Sequence, residues 1–162
     1  MPKSHFSAGV CWRIEEGQIP NENTIEFLVI EYSESGRDRV DIKFPGGTNR
    51  KNQEENLLET LCREWEEETF LRITGCRPYP MISVPKGPDH TQHFFVIDPG
   101  DYEGQLRTEP RTEVEAGRPT EYLGPPMWVS ARQLFQEMFS PHRKVLEKIF
   151  PQVRDYILST RK

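Results

Sequence analysis

The run Arg63-Glu64-Trp65-Glu66-Glu67-Glu68 places four carboxylates within five residues. Glu64, Glu67 and Glu68 stand at i, i+3 and i+4, the spacing that gathers side chains on one flank of a helix. Carboxylates grouped in this way repel one another, and partial burial disfavours their charged forms further, so the arrangement is costly unless a cation joins it. Hard oxygen donors suit Mg2+ or Mn2+, ions that keep several waters and are commonly shared with substrate phosphates. The chemistry expected is that of a divalent-metal site on a rigid helix. The competing interpretation is an ordinary solvated acidic patch, and the element that carries the run decides between them.

That element is expected to be a helix. From Asn49 to Leu71 the chain has no Gly or Pro and is filled with Leu, Glu, Arg and Gln, residues that favour helix. With Glu64 set at zero on a helical wheel, Leu57 falls near about 20°, Leu61 near 60°, Trp65 near 100°, Leu58 near 120° and Cys62 near 160°. This arc is the expected buried face. On the same wheel Glu66 and Glu59 lie opposite it, at about 200° and 220°, whereas Glu64, Glu68 and Glu67 lie at its margin, at about 0°, 40° and 300°. Glu66 and Glu59 therefore need no function, and the other three are the candidates.

Upstream, Phe44-Pro45-Gly46-Gly47 precedes a short polar stretch, and Glu55 stands eight residues before Arg63. Glycines in such a turn allow backbone conformations and close approaches that a side chain would block. Taken with the Arg-Glu-hydrophobic-x-Glu-Glu core of Arg63 to Glu68, this stretch resembles the Nudix hydrolase signature. The resemblance runs from about His5 to Phe150 and is strongest from Phe44 to Leu71. It departs from the pattern twice. Seven residues separate Gly47 from Glu55 where the signature has five, and Phe70 stands where the closing Gly belongs. Neither departure deletes a carboxylate. Phe70 is expected to remove the usual left-handed cap, so that the helix ends another way, through Thr69 and the β-branched Ile73.

The resemblance implies an α/β fold, a Nudix-like α/β/α sandwich with a mixed β-sheet, formed as a single domain over residues 1–162. It implies a metal-dependent hydrolase that cleaves a diphosphate bond in a nucleoside diphosphate linked to another group. Glu64, Glu67 and Glu68 would be metal ligands, any one of which could instead hold the attacking water, and Gly46 would offer its carbonyl to the ion. Glu55 and Arg63 would be structural support, with Arg63 also within helical reach of Glu59 and Glu67. The alternatives carried are a non-catalytic nucleotide-binding module and an isomerase on the same scaffold.

The rest of the chain is expected to build the frame. His5 to Ile14, Ile25 to Tyr32, Val40 to Phe44, Thr91 to Ile97 and Met127 to Val129 have strand composition. Ser33 to Arg39 is a polar turn around Gly36. Arg72 to Val84 suggests a long strand interrupted by Gly75, Pro78 and Pro80. Trp12 is expected in the core, and His90 and His93 as surface or sheet histidines. Asp98 to Pro126, rich in Gly, Pro and charge, is expected to be a loop, the kind of segment that serves as a lid. It carries Arg107, Arg111 and Arg118 as substrate-binding candidates and Glu113, Glu115 and Glu121 as alternative general bases. A Ser130-x-x-Gln133 capping box should start one helix and Ser140-Pro141 a second, which Pro151 should break.

A chain of 162 residues suffices for a real core, and a formal charge of −5 argues against a general nucleic-acid or membrane-surface binder. A nucleotide-type small molecule is the expected partner, with metal mediating between an acidic protein and phosphate. Cys11, Cys62 and Cys76 have no paired spacing, so reduced, buried thiols are expected. With no apolar signal region at the N-terminus and no stretch of membrane-spanning length, a cytoplasmic protein is expected.

Overall fold

A computed structural model describes residues 4–34, 39–49, 54–76, 80–115 and 117–161. The turn around Gly36, the middle of the stretch between Thr48 and Glu54, and Pro78 lie outside these residues. In chain order the elements are β1 (Ser4–Ile14), β2 (Ile25–Glu34), β3 (Asp41–Lys43), β4 (Gly46–Thr48), α1 (Leu57–Thr69), β5 (Arg72–Ile73), β6 (Ile82–Pro85), β7 (His90–Ile97), β8 (Tyr102–Glu103), β9 (Arg111–Glu115), β10 (Arg118–Leu123), β11 (Met127–Ser130), α2 (Ala131–Glu137) and α3 (Ser140–Thr160). The architecture is α/β with a mixed sheet. The chain divides into two compact units, one of residues 1–12 and 44–106, the other of residues 13–43 and 107–162.

In the first unit β1 runs parallel to β7, with Ser7 opposite His93 and Ala8 opposite Phe94. β6 pairs antiparallel on β7, and β4 pairs antiparallel on β1 with Ala8 opposite Gly46 and Ser7 opposite Gly47. β5 and β8 form a separate short antiparallel pair. Trp12 is buried and donates its indole N–H to Asp98 at 2.8 Å. The interrupted strand expected from Arg72 to Val84 resolves into β5 and β6. Phe94, Phe95, Val96 and Ile97 are all buried, the continuous apolar run of a strand covered on both faces.

The second unit is organised on β2, whose Phe27, Leu28, Val29 and Ile30 are buried. β3, β10 and β11 all pair antiparallel with β2. The expected loop from Asp98 to Pro126 is a correction: it contains β8 and an antiparallel hairpin, β9 with β10. Thr112 and Val114 alternate on one strand, and only Ala116-Gly117 separates the two, with Gly117 at φ 78. The positive φ of Gly117, directly before β10, suits a tight hairpin connection. The Gly, Pro and charge content had hidden that alternation.

The C-terminal helices differ from expectation in three details. Ser130 caps α2 by accepting from the Gln133 N–H at 3.3 Å, but the Gln133 amide donates to Glu137 rather than completing the box. Phe139, not Ser140, is the N-cap of α3 and makes no side-chain cap; its N–H goes to the Ile42 carbonyl at 3.0 Å. Pro151 lies inside α3 instead of breaking it. Phe150, Val153 and Ile157 are buried on both sides of the proline, and packing of that stripe offsets a cost of roughly 3 kcal/mol for an interior proline.

Candidate active site

α1 begins at Leu57, well after Asn49, because a capping box fixes its start. The Asn56 side chain accepts from the Glu59 N–H at 2.9 Å, and Glu59 Oε1 accepts from the Asn56 N–H at 3.2 Å. The end is set by Phe70, which itself adopts the left-handed conformation, φ 68, and donates its N–H to the Glu66 carbonyl at 2.8 Å. The left-handed cap is therefore kept without glycine, at a cost of about 1–2 kcal/mol for an L side chain. Thr69 assists as expected. Its hydroxyl donates to the Trp65 carbonyl at 2.7 Å and accepts from the Leu71 N–H at 3.0 Å.

The buried face of α1 comprises Thr60, Leu61, Trp65, Glu68 and Thr69. It is turned by about 40° from the arc drawn on the wheel, toward the glutamates and away from Cys62. Cys62 is exposed, Cys76 is intermediate and only Cys11 is buried, which corrects the expectation of buried thiols. Glu66 and Glu59 are exposed, as their wheel positions require.

The rotation presses two carboxylates against the glycine pair. Glu68 is 8% exposed, and its Oε1 accepts the Gly46 N–H at 2.7 Å. Glu64 lies over Gly47 so closely that a Cβ there would fall 2.3 Å from its carboxylate carbon. At Gly46 a Cβ would fall 2.3 Å from the Ser7 carbonyl oxygen and 2.5 Å from Ala8 Cα. Both glycines thus allow a close approach, Gly46 to a strand backbone and Gly47 to the Glu64 side chain.

Arg63 is the hub. Its Nε and Nη2 donate to the two oxygens of Glu55 at 2.6 and 2.8 Å, its Nη1 to Glu64 at 2.6 Å, and Nη2 also to the Thr48 carbonyl at 3.2 Å. Glu67 stands 3.6 Å from Nη1, one helical turn on. The Glu55 fork is the bidentate geometry that guanidinium makes with carboxylate. Burial pushes the Glu64 carboxyl above its ordinary value, and the Arg63 hydrogen bond and charge pull it back only in part. A cation beside Glu64 would finish that compensation, so the donor set suits a hard divalent ion in chemistry and in charge. Among the described residues, however, no three acidic, histidine or cysteine side chains close on one point. Glu64 and Glu67 are turned to Arg63, and Glu68 to the Gly46 N–H.

The other candidates lie in the second unit. Arg107 is 4% exposed and donates to the Glu109 and Gly124 carbonyls, the latter at 2.8 Å, at the base of the hairpin. Arg111 is on β9 opposite Leu123, and Arg118 opens β10 opposite Glu115. Glu121 pairs across from Glu113 on one side and Glu34 on the other, and the Tyr32 hydroxyl lies 3.2 Å from both Glu34 and Glu121. In the first unit, His93 and His90 approach serine hydroxyls, Ser83 at 2.8 Å and Ser4 at 2.6 Å. Sequence reasoning missed His5 and Thr60. Thr60 is fully buried, donates to Glu55 at 2.9 Å and lies 2.8 Å from His5 Nε2. Nothing in a strand-opening histidine or a helical threonine announces that contact.

Comparison with known proteins bears on the fold and the family. No curated protein is close enough in sequence to count as a match. Among solved structures, a MutT NUDIX hydrolase from Burkholderia pseudomallei aligns with TM-score 0.60 at 17% identity, covering 92% of this chain and 98% of its own. A MutT protein from Methanosarcina mazei Go1 aligns at 0.54 and 21% identity, covering 99% and 97%. An Ap4A hydrolase from C. elegans aligns at 0.55 and 14% identity, covering 94% and 99%. At such identities these likenesses speak to the fold, and the family rests on the sequence itself. Residues 4–150 match the NUDIX domain, so the chain belongs to the Nudix family and is a Nudix-type diphosphate hydrolase.

Proposed function

We propose that this hydrolase is divalent-metal-dependent and cleaves the diphosphate bond of a nucleoside diphosphate linked to another group. The observation that supports this reading most is the seating of Glu68 and Glu64 against Gly46 and Gly47, which gathers two carboxylates on a stretch of β4 whose bare backbone admits their close approach. Glu64, Glu67 and Glu68, with the Gly46 carbonyl, are the residues that would hold Mg2+ or Mn2+. When bound, such an ion neutralises phosphate charge and makes a water more acidic.

The chain's own groups supply position and proton transfer. The Gly46 N–H holds Glu68, and the Arg63–Glu55 fork aims the Arg63 Nη1 at Glu64. As water adds to phosphorus and the bond to the leaving phosphate breaks, one of the three carboxylates accepts the water's proton. Glu113, Glu115 and Glu121 are the alternative bases. Arg111 and Arg118 are proposed substrate contacts, and Arg107, whose guanidinium serves the Glu109 and Gly124 carbonyls, is proposed to support the hairpin. The free thiols suit a reducing cytoplasm, and no helix among the described residues is long and apolar enough to cross a membrane.

The test is formation of a nucleoside monophosphate and its phosphorylated co-product from nucleoside triphosphates, dinucleoside polyphosphates and nucleotide sugars with Mg2+, Mn2+ or EDTA. Cleavage that needs metal, falls by orders of magnitude in Glu67→Gln and Glu68→Gln and survives in Glu66→Gln is the expected result. Equal loss in all three variants, or cleavage in EDTA, would overturn the assignment. Nucleotide binding without cleavage of any compound would favour the binding module.

A further inference from the structure

We propose that His5 is a positioning residue for the carboxylate site, acting through the Thr60 hydroxyl on Glu55 and so on the guanidinium that orients Glu64. The inference rests on the metal-site reading above. Its basis is a chain of contacts in the first unit. His5 Nε2 lies 2.8 Å from Thr60 Oγ1, which lies 2.9 Å from Glu55 Oε1. Arg63 grips both Glu55 oxygens at 2.6 and 2.8 Å and reaches Glu64 at 2.6 Å.

The direction of each bond follows from the donor inventory. An ionised carboxylate only accepts, so the one hydroxyl proton of Thr60 goes to Glu55. His5 must then be the donor, with the imidazole proton on Nε2. That donation matters because a helical threonine has another option, bonding back to the carbonyl four residues earlier, here that of Asn56. Occupying the hydroxyl oxygen from the His5 side holds the rotor toward Glu55. Glu55 then presents one fixed plane to Arg63, and the remaining arm of the planar fork, Nη1, is set toward Glu64 at 2.6 Å, with Glu67 further off at 3.6 Å.

His5 is itself held. Its N–H donates to Asn49 Oδ1 at 2.9 Å, and its carbonyl accepts the Asn49 N–H at 3.0 Å. The strand that supplies the backbone wall behind Gly46 therefore also carries the first member of the relay. Burial lowers the His5 ring's affinity for a second proton, in keeping with a neutral imidazole. The protonated ring would keep the same Nε2 donor, so the relay does not depend on its titration.

The experiment uses the full chain and two readouts, Mn2+ binding without substrate, by electron paramagnetic resonance, and kcat and KM with the best substrate found. His5→Phe keeps a ring but removes the donor, Thr60→Val removes the hydroxyl, and His5→Gln places an amide N–H near the position of Nε2. Residues supporting metal ligands at one remove typically contribute 10–100-fold, so His5→Phe and Thr60→Val are expected to weaken Mn2+ binding and lower kcat by roughly tenfold. KM should change little, the double variant should be no worse than either single one, and His5→Gln should recover most of the loss. A residue that only supports the fold would lower Tm without moving the Mn2+ affinity of the folded protein.

If the parent binds Mn2+ and His5→Phe binds it equally, or if the double variant is fully additive, the relay is overturned while the proposed function stands. If the relay variants weaken Mn2+ binding but no diphosphate compound is cleaved, the relay stands and the proposed function falls. A parent that binds no Mn2+ overturns both.

Discussion

Gly46 and Gly47 are adjacent, yet alanine should fail at the two positions in opposite ways. Neither has positive φ, so alanine's backbone preference is not the obstacle at either. At Gly46 the new methyl would stand 2.3 Å from the Ser7 carbonyl oxygen and 2.5 Å from Ala8 Cα, both backbone atoms of a paired strand that cannot rotate away. Overpacking costs typically about 1–3 kcal/mol, and rigid neighbours put this case at the upper end. At roughly 2–4 °C per kcal/mol for a chain of this size, Gly46→Ala should lower Tm by about 6–12 °C.

At Gly47 the methyl would meet the end of the Glu64 side chain, 2.3 Å from its carboxylate carbon, which can swing aside. The chain gains about 0.4–1 kcal/mol from the stiffer unfolded state and loses a partly exposed Arg63–Glu64 contact of about the same size. The Tm of Gly47→Ala should stay within about 4 °C of the parent. Its kcat should nevertheless fall by about a hundredfold, the usual effect of displacing a catalytic group by about an ångström. Thermal melts and steady-state kinetics on both variants decide the matter. A Gly47→Ala protein that melts as low as Gly46→Ala, or that keeps parental kcat, would refute the placement of Glu64 over β4.

Because burial raises the Glu64 carboxyl, its contribution to stability is full below the ordinary value of 4.5 and is lost as pH rises through the raised folded value. Glu64→Gln lacks that titration, so its Tm relative to the parent should climb as pH rises above the ordinary value of 4.5 in EDTA, and a constant difference would contradict the burial argument. At Phe70, φ 68 and 57% exposed, glycine should be close to neutral in chemical denaturation. The relief of about 1–2 kcal/mol of left-handed strain is offset by glycine's entropy and the half-buried ring, whereas Phe70→Val should destabilise because β-branching tolerates that region least. Arg107→Lys should lower Tm through the lost carbonyl contacts and leave KM near the parental value; a raised KM at unchanged Tm would assign Arg107 to the substrate instead.

How much of this was legible in the sequence depends on the range over which each interaction acts. Spacing along a helix is local, so Glu64, Glu67 and Glu68 could be placed on one flank and Glu66 and Glu59 on the other from the residue order alone. The Phe44-Pro45-Gly46-Gly47 motif and the Arg63–Glu55 pairing were legible as pattern, as were β1, β2 and β7 from their apolar runs, whereas the glycines read as a turn form strand β4 against β1. The tertiary structure decided which way α1 is rolled. Contact of Trp65 with the Gly9 strand, where a Cβ would fall 2.8 Å from the indole ring, seats the helix about 40° from the arc its leucines suggest. That roll buries Glu68 and exposes Cys62.

Other outcomes also lay beyond local spacing. Phe70 entering the left-handed region and Pro151 staying within a helix are local costs overridden by packing around them, which a residue-by-residue propensity cannot weigh. The β9–β10 hairpin needed the β2 edge to pair with β10 before its weak alternation meant strand. The His5–Thr60–Glu55 contacts join residues 55 and 5 positions apart, and the longer of these exists only because β1 folds against α1. Nothing in the order of residues constrains a contact of that range, so the site's support had to come from the fold.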